Sequence, residues 1–138
     1  MFIQKAINHL KSSPKKLFWI DGLGALCSAF LLAVVLANLE SIFGIPSNAL
    51  YFLATFPIIF SIYDFACYNL IKDNYSSALK CIAGANTIYC VLSIGVAFTH
   101  KVSLTKLGWA YLVFEIFIVL TLAYIEFKIA TESSLKQY

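Results

Sequence analysis

Four long apolar runs, at about residues 17–39, 49–71, 77–98 and 105–127, alternate with short polar connections along the chain. Each is long enough to cross a hydrocarbon core of about 30 Å, because roughly 20 helical residues rise about 1.5 Å each. A segment inside a bilayer must satisfy its own backbone hydrogen bonds, so the runs predict helices. The expected fold class is all-α: a polytopic membrane protein with residues 1–138 as a single membrane domain, built as a four-transmembrane-helix bundle. The remaining connections are too short to hold a soluble catalytic or binding domain. Lysines precede the first run as in a signal peptide, but the run exceeds the usual apolar region of about 7–15 residues. Ala37-Asn38-Leu39 is also a poor cleavage site, so the run reads as a retained span.

Before the first span, residues 1–12 place Phe2, Ile3, Ala6, Ile7 and Leu10 on one helical face and Gln4, Lys5, Asn8 and Lys11 on the other. That pattern predicts a short amphipathic N-terminal helix lying in the membrane interface. Ser13-Pro14 then has the chemistry of an N-cap followed by proline at the first helical position.

The polar positions inside the runs carry the candidate chemistry. Asp21 lies in the first span, Asp64 in the second, Asn86 in the third, and Glu115 and Glu126 in the fourth. Counted inward from the lysine-bearing boundaries, Asp21 lies about 6 Å deep, Asp64 and Asn86 about 10–13 Å, and Glu115 about 18 Å, with Glu126 near the interface. Spacings of three and four keep one helical face. Such faces hold Asp21, Gly24 or Ala25, and Ser28; Pro57, Ser61, Asp64 and Tyr68; Asn86, Tyr89 or Cys90, Ser93 and Ala97; and Gly108, Tyr111, Glu115, Leu122 and Glu126. Four polar stripes on four helices are expected to converge on one interior, at a depth where no lysine or histidine neutralises them.

Two readings of Asp21 stand open: a polar group two turns into the helix, or an N-cap from which the helix restarts at Gly22-Leu23-Gly24. Two readings also stand open for the set. An unpaired carboxylate near the bilayer centre costs at least ~2.5–3.5 kcal/mol, so these groups must be protonated, hydrogen-bonded, hydrated or bound to a cation. They act either as hydrogen-bonding glue, at about 0.6 kcal/mol per bond, or as a functional acidic cavity.

Composition agrees with a membrane protein: 61% of residues are hydrophobic and 12% charged, with a mean hydropathy of +0.83. The positive-inside rule gives the orientation. Lys5, Lys11, Lys15, Lys16, Lys72, Lys80, Lys128 and Lys136 fall on one side, and only Lys101 and Lys106 on the other. Both termini are therefore expected in the cytoplasm, in a multi-pass protein of the bacterial cytoplasmic (inner) membrane. Trp19, Tyr68, Tyr75 and Tyr124 belong to the inner aromatic belt, and Tyr51 and Trp109 to the outer one. The net charge of +3 is thus a topology signal and implies no nucleic-acid partner.

Other constellations add little. Cys27, Cys67, Cys81 and Cys90 lack CxxC spacing and read as packing residues. His9 and His100 lie outside the spans, which leaves no bis-histidine haem site. No catalytic triad, phosphate loop or zinc motif occurs, so no catalytic residue, metal or cofactor is expected. Pro57 is expected to kink the second span and free the Leu53 carbonyl.

The stretches IDGLGALCSAF, ESIFGIP, IYDFACY and LGWAYLVFEI resemble, in the same order, those of a group of small four-span bacterial membrane proteins without an assigned activity. The resemblance implies that Asp21, Glu40, Asp64 and Glu115 fall in signature stretches, and it implies no reaction. Small multidrug-resistance transporters are similar only in having four spans and an intramembrane glutamate. Theirs lies in the first span, where this chain has Asp21.

The leading expectation is a small transporter or channel component whose acidic cavity, open to the cytoplasm, takes protons, cations or a small cationic ligand. Asp64 and Glu115 are the expected central carboxylates, Asn86 and Tyr89 their hydrogen-bonding partners, and Asp21 a cytoplasmic gate. Ser61 completes the set, with Tyr68, Tyr111 and Glu126 secondary. An accessory or scaffolding subunit without chemistry of its own is the alternative, and a membrane enzyme acting on a lipid or isoprenoid is a third. The lipid bilayer is the expected surrounding, with a homodimer or a larger membrane partner as the expected assembly.

Overall fold

The computed structural model describes Gln4, Lys5, Asn8, residues 15–71 and residues 75–136, with side chains described as far as Thr131. The apolar face expected in the arm, the Ser13-Pro14 start and Lys72 lie outside the described residues. The described chain is helical throughout its regular parts. Helix α1 (Lys15–Phe30) runs into a π-helical stretch (Leu31–Leu36), and the short helix α2 (Glu40–Phe43) leads to α3 (Ser47–Leu70). Helices α4 (Tyr75–Thr99) and α5 (Lys106–Lys136) follow.

Three of these helices are long and apolar enough to cross a membrane by length and composition: Lys15–Leu36, Ser47–Leu70 and Tyr75–Thr99. Helix α5 packs beside them, 31 residues long, and continues well past the end expected near residue 127. Large apolar side chains point outward, among them Leu26, Phe30, Ile62, Ile88, Val91 and Phe117, while Asp21, Asp64, Asn86, Glu115 and Glu126 are buried. A water-soluble bundle has the opposite arrangement. It is the arrangement compatible with a bilayer, where hydrocarbon solvates leucine but offers a carboxyl no hydrogen bond.

The four long helices form two hairpins. Helix α1 packs along α3, and α4 along α5, whereas contact between the hairpins is sparse: α3 meets α4 over a short stretch and α1 barely touches α5. Gly22 permits the close approach within the first hairpin. A Cβ there would stand 3.0 Å from the Phe65 ring and 3.3 Å from the Asp64 Cβ.

At the end away from Lys15 and Lys80 the hairpins are fastened through their loops. Thr105 N donates to the Phe43 carbonyl at 3.2 Å, Ser103 Oγ to the Gly44 carbonyl at 2.8 Å, and Thr105 Oγ1 to the Ile42 carbonyl at 2.6 Å. Gly44 closes α2 with φ of 79°, a conformation that favours glycine, and any Cβ there would collide with the Ser103 carbonyl. At the lysine-rich end the seam carries Tyr63 Oη donating to the Ala78 carbonyl at 3.0 Å.

Two apolar clusters close the interior. Leu17, Phe18, Leu79, Ile82, Ile125 and Ile129 seal the lysine-rich end. Leu32, Leu36, Ile45, Leu50, Leu53 and Leu112 seal the other. Phe18 and Leu17 are already helical and fully buried before Asp21 is reached. The N-cap reading of Asp21 is therefore overturned: α1 starts at least six residues earlier, at Lys15, so no first-turn N–H is left at that point for its carboxylate to cap.

Candidate functional site in the seam

The polar residues of the four long helices meet along the seam between the hairpins, in two clusters. The first takes one residue from each helix. Asn86 on α4 donates from Nδ2 to Asp21 Oδ1 on α1 at 3.3 Å and to Glu126 Oε1 on α5 at 3.1 Å. Both hydrogens of that amide nitrogen are thereby used. Asp64 on α3 stands beside the Asp21 carboxyl. Among the described residues, Asp21 Oδ2, both oxygens of Asp64 and Glu126 Oε2 receive no hydrogen bond from an N–H or a hydroxyl.

This geometry has a chemical consequence. An ionised carboxylate only accepts hydrogen bonds, so two carboxyls in contact are joined only when one carries a proton. Three acids surround one amide, and among the described residues no lysine or histidine stands beside any of them. Asp64 and Glu126 have no solvent exposure at all. Among the described residues the cluster has more buried acceptors than donors.

The second cluster surrounds Glu115. Tyr89 Oη on α4 donates to Glu115 Oε1 at 2.7 Å, and the hydroxyls of Ser28 on α1 and Tyr111 on α5 stand beside the same carboxyl. Glu115 Oε2 and Tyr111 Oη are buried without a close hydrogen bond of their own. Phe56 and Phe60 hold the Tyr89 ring in place, with centroids 6.4 and 6.2 Å away.

A cavity of about 50 Å³ lies between the two clusters, lined by Asp21 and Asn86 on one side, by Ser28 and Tyr89 on the other, and by Gly24, Pro57 and Phe60 between them. Each buried water needs at least ~10–15 Å³, so the cavity has room for a few waters with polar partners at both ends. Pro57, by lacking an N–H, leaves the Leu53 carbonyl without its helical partner in the wall of the same helix.

Several expectations need correction. The single site of Asp64, Glu115, Asn86 and Tyr89 is divided: Asn86 serves Asp21 and Glu126, Tyr89 serves Glu115, and Asp64 stands beside Asp21 with no hydrogen bond to Asn86. Glu126, expected as a secondary member, is fully buried and bound to Asn86 at the centre of the first cluster. Asp21 is enclosed, 4% exposed, above a sealed apolar end, and so is not an open gate in this conformation. Tyr68 belongs to neither cluster: it packs on Trp19 at 5.7 Å and lies under Lys15 Nζ at 4.7 Å. Ser61 is buried one turn from Asp64 but does not line the cavity. Cys27 and Cys81 are exposed, and only Cys67 and Cys90 are buried packing residues.

The structure adds residues that the sequence expectation left out of the site. Ser28 shares the Asp21 face and reaches Glu115, Gly22 brings α1 against Asp64, and Tyr63 ties the hairpins. The stripe spacing signalled Ser28; nothing local signalled the other two. Among the described residues no group of acids, cysteines or histidines is placed to hold a metal ion. Comparison with family models, curated proteins and solved structures returns no match for this chain.

Proposed function

We propose that the protein is a small transporter or channel component of the bacterial inner membrane that moves protons through the seam between its two hairpins. In this reading α5 is the fourth span, since Glu115 is its only charged residue between Leu107 and Tyr124. Both termini face the cytoplasm, where the lysines of the short connections collect. The observation that carries the reading is the contact of Asp21 with Asp64, buried beside Glu126 with a single amide among three acids. Hydrogen-bonding glue needs one donor for each acceptor, and this cluster has fewer donors than acceptors unless it holds protons.

The path runs from Asp64 and Asp21 through water in the cavity to Ser28, Tyr89 and Glu115, each step spanning groups able both to accept and to donate a proton once a carboxyl is protonated. Parting of the hairpins at the lysine-rich end admits protons from the cytoplasm, and loosening of the apolar cluster around Leu32, Leu36 and Leu112 at the other end lets Glu115 release them on the opposite side. Hinge motion of one hairpin against another is a general device of membrane carriers.

Proton flux into liposomes, driven by a potassium diffusion potential and read with an internal pH dye, tests this. Flux above protein-free vesicles is expected from the wild type, reduced at least tenfold by Asp64→Asn and by Glu115→Gln with the bundle still folded. Unchanged flux in both variants removes the path. Absence of flux from the isolated chain, together with a stoichiometric larger partner on native purification, favours the accessory-subunit alternative.

A further inference from the structure

On the outer side of the second hairpin, small residues leave a groove between α4 and α5. It measures about 610 Å³ and is lined by Ala83, Gly84 and Thr87 on one helix and Ala123 on the other, with Ile88 and Phe127 exposed at its sides. The Thr87 hydroxyl is spent on the Ala83 carbonyl of its own helix at 2.9 Å, so the trough offers a guest an apolar wall. Lys80 stands at its lysine-rich end. There Tyr124 and Phe127 also line a depression that continues to Lys128, whose Nζ lies 5.9 Å from the centre of the Tyr124 ring. Asp21, Asp64, Glu115 and Glu126 are buried and Glu40 lies in the opposite loop beside Ser47, so among the described residues no acid pairs with either lysine.

We propose that this groove is a binding site for one anionic phospholipid, with the head-group phosphate between Lys80 and Lys128 and an acyl chain along Gly84 and Ala123. Two ammonium groups from neighbouring helices, at one end of an apolar trough, match the two halves of such a lipid: negative charge at the membrane surface and a chain below it. Lysine reaches that level by laying its stem along apolar surface and keeping its ammonium in the head-group layer. The phenol of the exposed Tyr124 adds a hydrogen-bond donor at the same rim. A zwitterionic head group brings its own cation to the same place and meets the lysines with repulsion as well as attraction. The same charges disfavour a second copy of this chain as the occupant. A two-fold interface brings one patch of both copies together, and copies inserted in one orientation would set these lysines against each other. The inference rests on the placement of α5 in the bilayer and not on the proton path.

The test reconstitutes the full chain with equal amounts of phosphatidylglycerol and phosphatidylcholine, extracts it in mild detergent and counts the retained lipids by native mass spectrometry. One phosphatidylglycerol per chain is expected, preferred at least tenfold over phosphatidylcholine. Lys80→Gln combined with Lys128→Gln should remove the preference. Lys15→Gln combined with Lys16→Gln, the same loss of charge at the same end but on α1, should keep it. Gly84→Leu should abolish retention, because a Cβ at Gly84 meets nothing within 4 Å and the longer side chain fills the groove without disturbing the fold. Gly95→Leu, equally unhindered on the same helix but outside the groove, should leave retention unchanged. Equal retention of the two lipids, or full retention after either change in the groove, overturns the proposal. So does loss of the preference in the Lys15 and Lys16 variant, which would mark diffuse attraction to the lysine-rich end. A dimer that Gly84→Leu dissolves, with no lipid retained by the wild type, gives the groove to a second copy and overturns it as well. Proton flux without retained lipid refutes the groove alone, and retained lipid without proton flux refutes the transporter reading while the site stands.

Discussion

Asn86→Leu is expected to be the most destabilising single substitution in the bundle, costing about 1–3 kcal/mol. The side chain makes two interhelical hydrogen bonds, to Asp21 and to Glu126, and it is the only amide in the cluster. Interhelical bonds in membranes average about 0.6 kcal/mol and reach about 1.7. Here the loss also strands two buried acceptors from different hairpins, which raises the cost toward the upper end. Leucine keeps the γ-branched shape but is larger, so Asn86→Val, closer in volume, is measured beside it to separate overpacking from the lost bonds. Unfolding by sodium dodecyl sulfate in mixed micelles, followed by tryptophan fluorescence, measures it. Stability within about 0.5 kcal/mol of wild type, the range of ordinary surface substitutions, would mean that the three acids do not depend on Asn86.

The second large effect is expected at Asp21, and on transport more than on folding. Asp21→Asn keeps the shape, still accepts from Asn86, and supplies an N–H to Asp64 in place of the shared proton. Its stability should stay within about 0.5 kcal/mol of wild type. Proton flux should nevertheless fall at least tenfold, because an amide neither binds nor releases the proton in transit. Asp21→Ala removes both contacts and should be destabilised by about 1–2 kcal/mol. Flux from Asp21→Asn equal to wild type would make Asp21 a spacer between helices.

Much of this arrangement is legible in the sequence because the bilayer simplifies the code. Apolar runs of spanning length give the helices, and spacings of three and four place Asp21 with Ser28, Asp64 with Ser61, and Glu115 with Tyr111 on common faces. Burial follows directly, since hydrocarbon outside forces the polar stripes inward. Periodicity does not say which stripe meets which. That depends on the order of helices around the bundle and on hairpin packing, so Asn86 reads as a partner of Asp64 but in fact bonds Glu126.

The end of the last helix is less legible, because the apolar run stops near residue 127 while α5 continues to Lys136 and buries Ile129 and Ala130 beyond Glu126. The π-helical stretch at Leu31–Leu36 has no breaker residue to announce it. Gly22 is a plain small residue in sequence; only its contact with Phe65 shows that it sets the distance between Asp21 and Asp64.

The central claim is that the acids of the seam hold protons that exchange, and infrared spectroscopy of the chain in hydrated lipid at neutral pH tests it most directly. A carboxylic-acid carbonyl band is expected in the wild type, diminished in Asp64→Asn, and shifted when D₂O replaces H₂O. Absence of the band would contradict the shared proton between Asp21 and Asp64, and a band that stays unshifted after prolonged D₂O exposure would make the cluster static glue.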